Sequence, residues 1–93
     1  ALVQAAIEKH RQRRAAAEVV KEITRRLATL SPRERELLGA VIAGKSTKMI
    51  ADELGISART VDHHRANLME KMAAANVADL VRMAVAANFK ATA

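Results

Sequence analysis

Apolar residues recur at helical spacing in five successive segments of the chain. In the first segment, the intervals of three, four and three residues are typical of the contact side of a helix. We call its four members the N-terminal stripe: Val20, Ile23, Leu27 and Leu30. The pattern predicts a helix over residues 1–30, with a polar run at 9–14 as a defect. The stripe is too short for a stable coiled coil, so we expect it to pack on its own domain or on a second copy. Self-association is the preferred interpretation.

A sharp helix start follows the stripe. Ser31 is predicted to be an N-cap, Pro32 occupies the first helical position, and Glu34 completes a capping box. Leu37, Leu38, Val41 and Ile42 then line one side of this helix. Gly44 is predicted to end it.

Three shorter helices complete the pattern, and they are predicted over residues 47–54, 57–72 and 76–88. In the first of the three, we expect Met49, Ile50 and Leu54 to face inward. In the second, the inward residues are predicted to be Val61, Leu68 and Met72. Asn76 is predicted to cap the last helix.

Residues 47–66, TKMIADELGISARTVDHHRA, indicate two helices joined by a tight turn. Gly55 stands where the first helix must stop, Ile56 is an apolar plug, and Ser57 is placed to cap the second helix. A unit of this size is typical of the helix-turn-helix, whose second helix enters the major groove of DNA. An ordinary helical hairpin would need the same glycine and the same cap.

Helical geometry predicts which residues of the second helix face outward. With Val61 inward, a rotation of 100° per residue places Arg59, Asp62, His63 and Ala66 on the outer side. These residue types suit recognition of bases. Arginine donates to guanine, aspartate accepts from cytosine, alanine contacts the thymine methyl group, and histidine can donate or accept. The alternative is an ordinary solvated helix surface.

Charge and composition favour a small, all-helical, basic domain. The chain has 93 residues, three glycines, one proline and a formal net charge of +6. Residues 1–30 hold seven basic and three acidic residues (+4), whereas residues 31–93 hold nine and seven (+2). DNA binding by the second part must therefore rest on a few placed contacts and on two copies of the domain. We expect residues at the helix starts to contact phosphates, namely Thr47, Lys48, Ser57 and Thr60.

Several kinds of chemistry are disfavoured. The chain has no cysteine, and adjacent residues such as His63 and His64 point about 100° apart on a helix, so we expect no metal site. Ser31, Ser46 and Ser57 all stand at helix starts, where capping explains them, so we expect no enzyme and no cofactor. No apolar run has the length of a membrane span.

Four ordered segments within residues 30–89 resemble the LuxR-type (GerE-type) helix-turn-helix of bacterial response regulators in the FixJ/NarL family, and its FixJ-like branch in particular. The segments are LSPRERELLGAVIAG, KSTKMIADELGIS, RTVDHHRANLMEKM and NVADLVRMAVAANF. The resemblance implies a four-helix DNA-binding domain over residues 31–93, preceded by a linker helix over 1–30 that includes the tail of a receiver domain. Asp62 departs from the basic residue that is common at its position in the family.

The resemblance also implies partners. They are double-stranded promoter DNA, a second copy of the chain, a receiver domain in the intact protein and, as a further candidate, RNA polymerase, all in the bacterial cytoplasm. The dimer contact is expected on the closing helix, where Ala78, Val81 and Val85 adjoin the face that the core uses, which holds Leu80, Ala84 and Ala87.

Two other functions fit parts of the pattern. The N-terminal stripe and the apolar closing helix suit a helical protein-interaction module. The helix-turn-helix also suits the promoter-recognising region of a sigma factor. The helix after Asn76, and the lack of a neighbouring segment that would bind core polymerase, disfavour the sigma factor.

Overall fold

The structure is a computed structural model that describes the backbone of residues 2–90 and the side chains of residues 7–90. This part of the chain forms five helices and no strand, which confirms the predicted all-α class. The helices are α1 Leu2–Leu27, α2 Pro32–Ile42, α3 Thr47–Leu54, α4 Ala58–Met72 and α5 Val77–Ala86.

Side-chain caps begin α2 to α5. Ser31 and Glu34 form the predicted capping box: Ser31 Oγ accepts from Glu34 N at 3.2 Å, and Glu34 Oε1 accepts from Ser31 N at 2.8 Å. Ser46, Ser57 and Asn76 each cap the helix that follows them. These bonds satisfy amide groups that a helix leaves unpaired at its start. They explain why the predicted starts lie within one residue of the observed ones.

One hydrophobic core lies between the helices. Its most deeply buried side chains come from α2, α3, α4 and α5, and they are Leu37, Leu38, Ile50, Val61, Leu68, Met72 and Leu80. The predicted inward side of α4 is confirmed, since all three of its members are fully buried. The opposite side of α4 is therefore left at the surface.

The end of α1 belongs to the same core. Ile23, Leu27 and Leu30 are buried, while Val20 at the edge is 36% exposed. The preference for self-association through the N-terminal stripe is therefore wrong for these three residues, because their side chains already contact their own chain. The core thus crosses the predicted boundary between residues 30 and 31. A functional division of the chain at that point stays a prediction.

The first part of α1 projects from the rest. The helix continues without a break through the polar run at 9–14, and all side chains of residues 7–22 are exposed. The molecule is accordingly elongated, with extents of 59 × 24 × 21 Å. Among the described side chains of α1, those that pack against the rest of the chain lie in its last turns.

Two arginines attach the end of α1 to its neighbours. Arg35 in α2 donates to the carbonyl oxygen of Leu27 at 2.7 Å, and Arg26 in α1 donates to that of Lys71 in α4 at 3.3 Å. Carbonyl groups at the ends of helices lack partners within the helix, so each arginine acts as a C-terminal cap for another helix.

Met49 does not lie inside as predicted, because half of its surface is exposed. Ile50 and Ala51 are buried and Leu54 is half-buried, so these three define the inner side of α3. Met49 lies roughly 145° from the centre of that side by helical geometry. Within residues 2–90, no helix has both the length and the apolar character that crossing a membrane requires.

Candidate nucleic-acid interface

The turn between α3 and α4 has a fixed conformation. Gly55 adopts the left-handed region, with φ of 68°, where a residue with a side chain would be strained. The amide of Ile56 donates to the carbonyl of Ala51 at 3.0 Å, and its half-buried side chain packs against the core. The predicted roles of both residues are confirmed. The two helices are therefore held at a defined angle.

The outer side of α4 displays the four residues predicted to contact bases. Arg59, Asp62, His63 and Ala66 are all exposed, whereas Val61 on the opposite side is fully buried. The side chains offer a guanidinium, a carboxylate, an imidazole and a methyl group along two turns of one helix. The structure brings the four together on one surface, and their contact with bases stays a prediction.

Asn67 joins this surface, although the sequence analysis gave it no role. Its Nδ2 lies 3.5 Å from Nε2 of His63, one helical turn away. A carboxamide can donate and accept at the edge of adenine, so Asn67 adds to the recognition chemistry of the surface. The spacing of four residues from His63 was the available signal.

The start of α4 is occupied by its own cap. Ser57 Oγ accepts from the amide of Thr60 at 3.0 Å and shares a second hydrogen bond with Thr60 Oγ1 at 2.8 Å. Only one of the two hydroxyl protons is used in the bond between Ser57 and Thr60, so the other hydroxyl proton is free to point outward. The first amides, those of Ala58 and Arg59, have no partner within the helix. These donors suit an anion, and contact of Ser57 and Thr60 with phosphate stays a prediction.

The start of α3 carries the other two residues predicted to contact phosphates. Lys48 is exposed and Thr47 is half-buried. Thr47 Oγ1 accepts a hydrogen bond of 3.3 Å from Arg65, which projects from the flank of α4. The sequence analysis gave Arg65 no role, because nothing in the local pattern shows that it faces α3.

A buried carboxylate fixes the far end of α4. Glu34 is 4% exposed and receives hydrogen bonds from Lys71 Nζ at 2.7 Å and from the amide of Ser31. Burial raises the pKa of Glu34, but the bonds from Lys71 and Ser31 outweigh it and leave the pKa below its ordinary value. The charged form therefore stabilises the junction between α2 and α4.

The exposed side of α5 is apolar. Val85 is 69% exposed, Ala78 is exposed and Val81 is half-buried, whereas Leu80 and Ala84 are buried. Val77, 42% exposed, extends the patch and was not predicted. The predicted division of this helix into a core side and an exposed apolar side is confirmed, and a dimer contact there stays a prediction.

Potential metal ligands are spread along the described residues. The histidine, aspartate and glutamate side chains among them form no group of three that is placed to hold a metal ion. The rings of His63 and His64 lie 6.1 Å apart, centre to centre.

The geometry of α3, the turn and α4 defines a helix-turn-helix domain. Residues 28–84 match the family described as "Bacterial regulatory proteins, luxR family". The chain belongs to this family of regulatory proteins. The resemblance given by the four sequence segments is confirmed.

Individual relatives point to the FixJ-like branch. The transcriptional regulatory protein FixJ of Rhizobium meliloti (strain 1021) is 56% identical over 68 residues, which cover 73% of this chain and 33% of that protein. The solution structure of the C-terminal transcriptional activator domain of FixJ from Sinorhizobium meliloti is 54% identical, with a TM-score of 0.64, and covers 75% of this chain and 89% of that one.

A full-length structure shows how long the relatives are compared with this chain. The crystal structure of full-length FixJ from B. japonicum is 40% identical, with a TM-score of 0.75; the match covers 96% of this chain and 44% of that one. The chain thus spans between a third and a half of the length of these full-length relatives.

Proposed function

We propose that this chain is the DNA-binding output domain of a two-component transcription regulator and binds promoter DNA as a homodimer, with α4 in the major groove. The observation that carries the proposal is the outer side of α4. A capped helix presents Arg59, Asp62, His63 and Ala66 to solvent, while its inner side is locked into the core. A rigid helix with exposed, chemically varied side chains is what groove recognition requires.

Phosphate contacts set the position of α4 in the groove. The starts of α3 and α4 offer Thr47, Lys48, Ser57 and Thr60, together with amides that lack partners within their helices. These groups hold the DNA backbone on either side of the recognition surface and carry no sequence information. Asp62 would repel a phosphate, which favours a base edge as its partner.

Dimerisation through α5 compensates for the low charge of the domain. Residues 31–93 have a net charge of only +2, so a single copy has little electrostatic attraction for DNA. Ala78, Val81 and Val85, with Val77 beside them, form an apolar patch that a second copy would cover. Two copies then contact half-sites about one helical turn apart.

The remaining partners follow from the relatives. The FixJ proteins are longer than this chain. The family resemblance assigns a receiver domain to the additional residues, and we place that domain on the N-terminal side of α1 in the intact regulator. A relative is described as a transcriptional activator domain, which makes RNA polymerase a candidate partner. Such a regulator works in the bacterial cytoplasm.

Selection of bound duplexes from a random library tests the proposal. The chain is mixed with random-sequence duplexes, and bound molecules are recovered and sequenced over several rounds. We expect a half-site motif that recurs at one-turn spacing. A matched selection with Arg59→Ala, His63→Ala double substitution should lose that motif while the variant retains its melting temperature.

Two outcomes would contradict the proposal. If no motif is enriched and affinity for duplex DNA ignores salt concentration, the outer side of α4 is an ordinary solvated surface and a protein-interaction module becomes the better explanation. If one unpaired site is recovered, α5 does not arrange two copies on DNA.

A further inference from the structure

Arg65 is a half-buried cation for which the described part of the chain supplies no anion. Its Nε atom has under 1 Å² of exposed surface and no hydrogen-bond partner within that part. None of the ion pairs formed by the described residues includes Arg65. A guanidinium nitrogen that is withdrawn from water without a hydrogen-bond partner is costly, so the placement of Arg65 calls for a further acceptor, which a negatively charged ligand would supply.

The contact of Arg65 with Thr47 determines where that ligand would lie. Arg65 Nη1 donates to Thr47 Oγ1 at 3.3 Å, so the hydroxyl acts as an acceptor from this side. The proton of the same hydroxyl is then left to donate elsewhere. Thr47 is also the first residue of α3, where the amides of Thr47 and Lys48 have no partner within the helix. Cationic and neutral donors thus converge at one point between α3 and α4.

We propose that Arg65 and Thr47 form a binding site for one phosphate of the DNA backbone, in which Arg65 supplies charge and orients the Thr47 hydroxyl. The inference rests on the proposed function and deepens it. A phosphate fits better than a base edge, because Arg65 projects from the flank of α4 towards α3 rather than from the outer side that carries Arg59 and His63. A phosphate offers several acceptor oxygens to such a set of donors.

The salt dependence of binding tests for the charge contact. A duplex of the selected sequence is titrated with the parent chain and with Arg65→Met, which keeps the aliphatic volume, over a series of salt concentrations. Loss of one phosphate contact should lower the slope of log affinity against log salt by about 0.9. It should also weaken binding about tenfold, equally on selected and random duplexes. Arg65→Lys should keep the slope of the parent and recover part of the affinity.

Arg25→Met is the matched control. It removes the same formal charge from an exposed arginine that Glu22 already neutralises within α1. Its slope should equal that of the parent. If Arg65→Met also leaves the slope unchanged, or if both variants lower it alike, the assignment of a phosphate to Arg65 is wrong.

Neutralising single phosphates identifies the partner without relying on one variant. Duplexes that carry one methylphosphonate at successive positions are titrated with the parent chain and with Arg65→Lys and Arg65→Met. Neutralising one particular phosphate should markedly lower the affinity of the parent chain for the duplex and leave the affinity of Arg65→Met unchanged. If every position affects the parent and Arg65→Met equally, Arg65 contacts no phosphate. If the parent binds none of the duplexes, the proposed function itself fails, which separates the two results.

Discussion

Lys71, one residue before the end of α4, donates a hydrogen bond of 2.7 Å to the carboxylate of Glu34, in the first turn of α2. The same carboxylate accepts from the amide of Ser31. One buried group therefore closes the start of one helix and holds the end of another. The orientation of α4 depends on this junction, although it lies far from the surface that we propose to contact DNA.

Glu34→Gln should destabilise the domain by about 2 kcal/mol at neutral pH, because charged hydrogen bonds are replaced by neutral ones. The pKa of Glu34 is lowered in the folded chain, so its contribution is present above the unfolded value of about 4.3 and is lost as pH falls through the folded value. The difference between parent and variant should therefore shrink on acidification below that range. Urea unfolding at several pH values measures it.

Glu36→Gln is the control for this measurement. Glu36 forms an exposed pair with Arg33 at 3.2 Å, and its loss should change the free energy of unfolding by less than about 0.5 kcal/mol. A difference between Glu34→Gln and the parent that stays constant down to strongly acidic pH would contradict the assignment of the charged form to the folded state.

Leu27→Ala should cost about 2–4 kcal/mol of stability, since it leaves a cavity in the core. Substituting Ile23 and Leu27 with Glu should unfold the domain, because both side chains are buried in its core. Val20→Ala, at the exposed edge of the stripe, should cost less than about 0.5 kcal/mol. Equal small effects of Leu27→Ala and Val20→Ala on urea unfolding would show that α1 is only loosely attached.

His63→Ala should change sequence preference by roughly 1–3 kcal/mol at one base pair, because a directional contact is lost. Lys48→Ala should instead weaken all duplexes alike and lower the salt slope by about 0.9. Titration of each variant against selected and scrambled duplexes distinguishes the two roles. Equal losses on both duplexes for the histidine variant would remove His63 from the residues that contact bases.

Val85→Glu should reduce cooperative binding to paired half-sites while the affinity for a single half-site is retained. Val85 is 69% exposed, so the charge should not disturb the core, and this makes it a cleaner probe than the half-buried Val81. Ala86→Glu, on another exposed side of α5, is the control. Sedimentation velocity and footprinting on the paired site measure the effect, and identical behaviour of the two variants would place the dimer contact elsewhere.

Ala73→Gly should stabilise the domain by about 0.5–1 kcal/mol. Ala73 ends α4 in the left-handed region, with φ of 53°, which is costly for a residue with a Cβ atom. Glycine removes that cost, although it adds freedom to the unfolded chain. Thermal unfolding should show a higher midpoint, whereas Ala66→Gly inside the same helix should lower it. A lower midpoint for Ala73→Gly would show that the neighbouring structure already relieves the strain.

Local signals determined what could be predicted. Ser31 with Glu34, and Gly55 with Ser57, each specify a boundary through bonds that span a few residues, and these boundaries were predicted closely. The inner side of α4 followed from periodicity, because a helix of 15 residues contains enough turns to define one. In α3, with eight residues, the pattern was too short to place Met49 correctly.

Contacts between distant segments were not predictable in the same way. Periodicity showed that Ile23 and Leu27 need an apolar partner, but it does not say which surface supplies one. Glu34 and Lys71 are 37 residues apart, and Arg65 and Thr47 are 18 apart, so each pair is created by the packing of helices. The part of the candidate surface along α4 was therefore predicted, because the periodicity of one helix determines it. The part at the junction with α3 was predicted incompletely, because the contact of Arg65 with Thr47 was missed.

The attachment of α1 at one end has a mechanical consequence. A continuous helix of 26 residues is about 39 Å long. Among its described side chains, those of residues 7–22 are exposed, and the last turns are fixed through Ile23, Leu27 and the bonds made by Arg26 and Arg35. The helix is therefore a lever arm that pivots at its C-terminal end, beside the last turn of α4. If α1 tilts by about 10° about this pivot, its N-terminal end moves by about 7 Å. Conversely, a modest force applied at the N-terminal end of α1 produces a large torque at the pivot, where Arg26 donates to the carbonyl oxygen of Lys71.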